Sequence, residues 1–309
     1  MHIIEDLAQI KKLNYSWSLA LGNFDGVHLG HQVLLRRCVQ ESRLKAWTPA
    51  VLLWEPHPQS VLQKKPFKQL TTPRQKFDLI KAQGIEYLIR LPFKQKVASL
   101  TPQKFVEQYL KIFQVKKVFV GFNYTFGKDR QGTANLLKKW GEQTGFSVSI
   151  IEPIMVEGEI VSSSLIREKY KKGDLVTAAK LLGYYPYVQG RVIPGEKRGR
   201  QLGFPTANLM ISPRQILPLE GVYAAFVEYE QCFWPAVVNI GKRPTFNKTS
   251  LTIEAHILDF QQDLYQKELK IFLIEYLRSE CKFATAEGLS TQISEDLKKA
   301  KRLFSGVKM

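Results

Sequence analysis

The stretch Gly22-Asn23-Phe24-Asp25-Gly26-Val27-His28-Leu29-Gly30-His31 gathers the residue types that handle a phosphate. Gly22, Gly26 and Gly30 let a backbone approach an anion closely. His28 and His31 are three apart, so at the start of a helix both imidazoles face one target. Two imidazole donors beside a helix N-terminus suit the negative charge that builds on an α-phosphate during in-line displacement. Such a reaction is driven by positioning and electrostatics and needs no serine, cysteine or carboxylate nucleophile. One histidine pair alone reads more readily as packing or capping. The glycines, the strand-to-helix setting and both histidines coincide here, which favours the phosphate reading.

Two other segments carry oxygen and nitrogen ligands. Ser162, Ser163 and Ser164 can cap a helix whose first turn bears Arg167, a fork for phosphate oxygens. The same residues also read as an ordinary capped helix with a solvated arginine. Further on, Gly195, Gly199 and Gly203 recur at four-residue spacing in a basic stretch with Lys197, Arg198 and Arg200, ahead of Phe204-Pro205-Thr206-Ala207-Asn208. No GxxxxGK[ST] run occurs, which excludes a P-loop. The stretch reads either as a phosphate-binding flap or as a long hairpin loop with solvated charges. Thr206 and Asn208, two apart on an extended segment, share a face and offer the hard oxygen ligands that Mg²⁺ prefers. Glu254 lies in the alternating run 252–257; by itself it reads as a solvent-facing charge, and His256 on the same face as structural.

The elements that must position these residues differ between the two halves of the chain. Apolar runs at 17–21, 50–54, 86–91, 116–120 and 148–151 alternate with helical patterns at 31–45, 73–82 and 102–113. Strand, helix and strand in that alternation predict a parallel sheet with helices on both faces. The Gly22–His31 loop then lies outside the carboxyl end of a strand, where open α/β sheets bind ligands. From about Pro186 short β-rich runs follow one another at 187–193, 221–229, 234–240, 251–258 and 269–277, with a closing helix at 286–304. That spacing predicts a small antiparallel barrel and a C-terminal helix. The expected domains are 1–184 and 185–309.

Composition narrows the class. The 309 residues are 44% hydrophobic and 24% charged, ordinary for a globular protein of two domains. No apolar run approaches the roughly 18 residues that cross a bilayer, and the N-terminus lacks a signal pattern, so the chain is expected to be cytoplasmic. Cys38, Cys232 and Cys281 are far apart and odd in number, without ligand spacing, which argues against zinc or a disulfide framework. The net charge of +17 attracts nucleic acids and phosphorylated metabolites alike. The basic residues form no arm, and no recognised nucleic-acid module accompanies them. The sequence carries no sign of oligomeric state.

The His28-Leu29-Gly30-His31 segment resembles the HxGH signature of the nucleotidyltransferase superfamily. In the form GNFDGVHLGH it is similar to the bacterial bifunctional riboflavin kinase/FMN adenylyltransferases. Glu55-Pro56-His57-Pro58, Gly121–Gly127 and Ser162–Arg167 resemble further blocks of that family, with Asn123 at an Asp-or-Asn position and Ser164 where threonine is usual. GRVIPGEKRGRQLGFPTANL resembles the riboflavin-kinase signature centred on PTAN, and the blocks at 221–224, 239–246 and 253–260 follow in the family's order. Gln266 stands where the family usually has glycine. The resemblance implies a Rossmann-like nucleotidyltransferase domain followed by a riboflavin-kinase-like barrel. ATP, Mg²⁺ and flavins (riboflavin, FMN, FAD) would be its ligands, with no nucleic-acid or membrane partner. It implies catalytic roles for His28 and His31, and a nucleotide site from Gly22, Asn23, Phe24, Asp25, Gly26, Gly30, Asn123, Ser162, Ser163, Ser164 and Arg167. In the barrel it implies a second ATP site from Gly195, Lys197, Gly203, Pro205, Thr206 and Asn208, with Thr206 and Asn208 on the metal and Glu254 as general base. Two alternatives remain: a chain with one active site, or a basic flavin-responsive regulator that binds nucleic acid.

Overall fold

The computed structural model describes residues 1–63, 67–195, 199, 203–245, 248–304 and 306. The chain forms two compact units, Met1–Ser163 and Ser164–Met309.

The first unit is built on β1 (His2–Ile4), β2 (Trp17–Leu21), β3 (Thr48–Glu55), β4 (Tyr87–Pro92), β5 (Val115–Gly121) and β8 (Ser147–Ile151). Between β5 and β8 lie the short strands β6 (Thr125–Phe126) and β7 (Gly132–Thr133); β9 (Met155–Val156) and β10 (Glu159–Ile160) form a separate ribbon. The main sheet runs β1-β4-β3-β2-β5-β8 with every pairing parallel. Its helices are α1 (Leu7–Lys11), α2 (Leu29–Lys45), α3 (Pro58–Leu62), α4 (Pro73–Ala82), α5 (Gln95–Ala98), α6 (Pro102–Phe105) and α7 (Ala134–Thr144); α6 continues through tighter and wider turns to Phe113.

Both faces of the sheet are buried, as near-continuous apolar strands require. Leu19 and Leu21 pack with Phe105, Leu110 and Leu137 on one side. Ala20 packs with Leu34, Leu35 and Cys38 of α2 and Ile80 of α4 on the other. From β2 the chain winds to β3 and β4 in one direction, whereas β5 and β8 lie on the opposite side of β2. The strand order therefore reverses between β2 and β5. A crevice opens outside the carboxyl ends at such a point.

The second unit holds α9 (Leu175–Leu182), preceded by α8 (Ser163–Lys172), which begins at the last residue of the first unit. A closed barrel follows, from β11 (Tyr187–Ile193), β12 (Ala207–Met210), β13 (Gly221–Tyr229), β14 (Cys232–Thr245), β15 (Lys248–Ile257) and β16 (Glu268–Arg278). The strand order is β11-β12-β15-β14-β13-β16 with antiparallel pairing throughout. Ile253, Ala255 and Val238 face the interior and are sealed from solvent. The closing helix α10 (Ala286–Phe304) lays Ala300, Leu297 and Leu303 against Val222, Ala224 and Val237.

Helices α7 and α9 are absent from the sequence expectation although each buries a stripe at helical spacing, Ala134 and Leu137 in α7 and Leu175, Ala178 and Leu182 in α9; β12 is expected only as the extended segment of Thr206 and Asn208. The packed face of α10 also includes Asp296, at 1% exposure. Arg278 neutralises that carboxylate with Nε at 3.0 Å from both oxygens and Nη2 at 2.8 Å from Oδ2. Of the three free cysteines only Cys38 is buried, where burial pushes its thiol up to about 11. Cys232 and Cys281 are exposed, against their usual habit.

Candidate active sites

The Gly22–His31 loop joins β2 to α2 on one flank of the switch point. Three of its residues hold left-handed backbone, Phe24 (φ 46°), Gly26 (φ 81°) and Val27 (φ 38°). For a buried phenylalanine and a β-branched valine that conformation costs about 1–3 kcal/mol each, strain of a kind that gathers at ligand sites. Surrounding structure holds the loop in place. The Asp25 carboxylate accepts from Leu70 N at 2.9 Å, and Gly26 N donates to Thr71 Oγ1 at 3.2 Å. Lys76 Nζ donates to the Asn23 carbonyl at 3.0 Å, and Gln32 Nε2 to the Val27 carbonyl at 3.0 Å. Gly22 lies under the Phe24 ring, which a Cβ there would meet at 3.1 Å.

His28 is the N-cap of α2 but makes no side-chain cap bond. Its ring stacks on His31, with centroids 3.6 Å apart and planes 18° from parallel. The Nδ1 atoms of both rings are buried without a hydrogen-bond partner among the described residues. Burial lowers His28 from 6.5 to about 4, against the opposing pull of Asp25. Burial lowers His31 well below 6.5 as well, helped by His28 and the Lys76 ammonium. At neutral pH the pair is therefore uncharged, with unused ring nitrogens at the start of a 17-residue helix. That arrangement can donate to an anion without first surrendering a counter-charge.

Asn123 sits beyond the carboxyl end of β5, the strand that pairs with β2, and is exposed. Ser163 Oγ donates to the Asp25 carbonyl at 2.8 Å, which draws this serine to the loop. Ser162 is half-buried, Ser164 is exposed, and Arg167 lies one turn into α8 in the second unit. A cleft of ≈ 330 Å³ opens beside the loop, at the carboxyl ends of β3 and β4, lined by Trp54, His57, Lys76, Phe77 and Arg90 among others. Sequence reasoning missed this cleft, although the run of two prolines after β3 marks its edge. Arg90 is paired with Glu5 and, at 3.3 Å, with Glu55.

On the barrel, strand register does the assembling. Asn208 of β12 pairs with Glu254 of β15, and Glu254 pairs with Asn239 of β14. Residues directly opposite in a ladder share a face, so the three form a row across adjacent strands, with Cβ atoms about 4.5–5.5 Å apart. Glu254 lies on the outer face, since its neighbours Ile253 and Ala255 point inward. Asn208 is 8% exposed, and its amide lies against Gly195, where a Cβ would meet Asn208 Cγ at 2.7 Å. Thr206 and Pro205 are exposed. His256 Nδ1 donates to the Pro205 carbonyl at 2.8 Å and so holds the segment ahead of β12 over this face. Gly203 has φ 84°, which only glycine adopts freely. Lys197, Arg198 and Arg200 lie outside the described residues. Asn239 and Glu280 are additions that sequence reasoning missed: Asn239 Nδ2 donates to Glu280 Oε1 at 2.9 Å. Among the described residues no cluster of three or more His, Cys, Asp or Glu side chains suits a metal ion. No helix among them is long and apolar enough to cross a membrane.

A nucleotidyltransferase-like parallel sheet with its histidine loop at the switch point, followed by a closed barrel with a polar row on its outer face, defines a two-site class of enzyme. The FAD synthetase family matches residues 10–165, and the riboflavin kinase family matches residues 182–304. The bifunctional riboflavin kinase/FMN adenylyltransferase of Bacillus subtilis is 36% identical, covering 100% of this chain and 99% of its own. That of Escherichia coli K12 is 36% identical over 93% and 92% of the two chains. A crystal structure from Streptococcus pneumoniae, titled a macrolide-efflux protein, is 32% identical with a TM-score of 0.87, over 97% of this chain and 98% of that one. This chain belongs to the bifunctional riboflavin kinase/FMN adenylyltransferase family.

Proposed function

We propose that the chain makes FAD from riboflavin in two ATP-dependent steps, with the barrel phosphorylating riboflavin to FMN and the α/β unit adenylylating FMN. The observation that carries this reading is the presence, on two separate units, of two polar constellations suited to the two chemistries. We assign residues 1–184 to adenylyl transfer and 185–309 to the kinase.

In the first step riboflavin's terminal ribityl hydroxyl attacks the γ-phosphorus of ATP. Glu254 accepts the hydroxyl proton, and ADP leaves with the electron pair of the broken P–O bond. Thr206, Asn208 and Lys197 bind ATP phosphates, with Gly195, Gly203 and Pro205 in the same ATP site. The Thr206 hydroxyl and the Asn208 amide beside Glu254 are hard donors that fit Mg²⁺, whose charge would offset that of the phosphates.

In the second step a phosphate oxygen of FMN attacks the α-phosphorus of ATP, and pyrophosphate leaves. Neutral His28 and His31 donate to the charge that develops there, assisted by the α2 N-terminus. The Gly22–Gly30 loop lets the backbone approach the phosphates, with Asn123, Ser162 and Ser163 of the same unit in the nucleotide site; Ser164 and Arg167 are assigned to nucleotide binding on the sequence resemblance alone. The cleft beside it, with Trp54 and Phe77 for a flat ring system and Lys76 for a phosphate, supports a reading as the FMN pocket. We place the enzyme in the cytoplasm, where ATP is held and cysteines stay reduced.

Purified protein with riboflavin, ATP and Mg²⁺ should yield FMN and then FAD on chromatography, and EDTA should stop both. If FMN never forms, the kinase half is wrong. If supplied FMN never becomes FAD, the other half is wrong.

A further inference from the structure

Asn239 carries an unusual imbalance. Its Nδ2 donates to Glu280 Oε1 at 2.9 Å, whereas its Oδ1 is buried with no hydrogen-bond partner among the described residues. A carboxylate only accepts, so Glu280 fixes which end of the amide it takes and which end is left over. Gly241, two residues along β14, makes room for this contact, because a Cβ there would run into the Glu280 carboxylate. Glu280 itself follows β16 in a segment anchored by Arg278. That side chain holds Asp296 of α10 and donates from Nη1 to the Ser279 carbonyl at 2.9 Å. The left-over oxygen belongs to the residue directly opposite Glu254 in the ladder.

We propose that Asn239, aimed by Glu280, is a positioning residue for Glu254 that accepts a hydrogen bond from the base once it carries the substrate's proton. The inference rests on the reading of Glu254 as general base. As the ribityl oxygen bonds to the γ-phosphorus and the bond to the β–γ bridging oxygen breaks, the hydroxyl proton moves to Glu254. An ionised carboxylate offers Asn239 Oδ1 nothing, but the protonated carboxyl has an O–H to give. The orphaned acceptor is thus satisfied only along the reaction. An interaction made only there raises kcat without tightening ground-state binding.

The test uses the full chain and steady-state kinetics of both activities. Asn239→Ala should lower kcat for riboflavin phosphorylation about 10-fold or more, the worth of one well-placed hydrogen bond. It should leave KM for riboflavin and ATP within about twofold, since the lost contact belongs to the transition state. Glu280→Ala should lower kcat in the same sense, whereas Glu280→Gln, which keeps an oxygen for Nδ2, should stay near wild type. Because Glu280 acts through Asn239, the double variant should be no slower than Asn239→Ala alone. FAD formation from supplied FMN should be unchanged throughout, and the preserved KM values for riboflavin and ATP show that the barrel is folded. Unchanged kcat in Asn239→Ala, a rise in KM alone, or additive losses in the double variant would overturn the proposal. If instead Glu254→Gln phosphorylates riboflavin at the wild-type rate, the underlying reading of Glu254 fails.

Discussion

The two units solve phosphate chemistry in opposite ways. The α/β unit concentrates the centre of its candidate site, both histidines included, in ten consecutive residues and strips the histidines of charge by burial, so that His28 falls to about 4. The barrel draws on residues far apart in sequence, Asn208, Asn239 and Glu254, and aligns them by cross-strand register on its outer face. One site depends on a strained loop and a helix end, the other on the rigidity of a closed barrel. A change to either constellation should therefore be felt locally, which makes the comparison breakable.

The largest effect should come from Glu254→Gln. Loss of a positioned base lowers rates by about 10²–10⁴, so FMN formation should collapse while FAD formation from supplied FMN persists. Parallel loss of both activities would break the comparison. His28→Ala should do the reverse, reducing FAD formation from FMN by about 10²–10³, the usual cost of a donor aimed at developing charge. Its riboflavin kinase rate should not move.

A third expectation concerns stability. Asp296→Asn leaves Arg278 without its buried counter-charge and should cost the barrel about 3–5 kcal/mol, read from denaturant unfolding. A loss below 1 kcal/mol would show that the ion pair does not hold α10 to β16.

The buried histidines make the first unit sensitive to acid. The folded value for His28 lies below the ordinary 6.5, so below pH 6.5 the unfolded chain binds a proton that the folded chain resists. The stabilising difference is complete above pH 6.5 and shrinks as pH falls toward about 4, by about 3 kcal/mol for this group. Melting of the α/β unit between pH 7 and pH 4 should show the decline, and His28→Asn should make it shallower, with the share due to His31 remaining.

The smallest effect should come from Gln266→Gly. Gln266 holds φ 64°, a conformation that favours glycine, and the exchange should stabilise the barrel by about 0.5–1 kcal/mol in the same unfolding experiment.

The same contrast governs what could be read from sequence. The Gly22–His31 loop was legible because its chemistry is contiguous and its strand and helix announce themselves by period. The alternating sheet and the barrel were legible for that second reason. Asn239 and Glu280 were not, since only the register of β14 against β15, and the path of the segment after β16, bring them to Glu254. Asp296 was missed because a carboxylate on an apolar helix face looks like a break in pattern until Arg278 is seen beside it. Lys76 likewise appears as one basic residue among many until its ammonium is found on the Asn23 carbonyl.

The central claim is that two complete and independent sites reside in one chain. It is tested most directly by mixing Glu254→Gln protein with protein carrying His28→Ala and His31→Ala, then supplying riboflavin, ATP and Mg²⁺. Neither preparation alone should form FAD, the first leaving riboflavin unchanged and the second stopping at FMN. The mixture should form FAD, because FMN released by one is a substrate for the other. A mixture that makes no FAD, or either single preparation that does, would contradict the account.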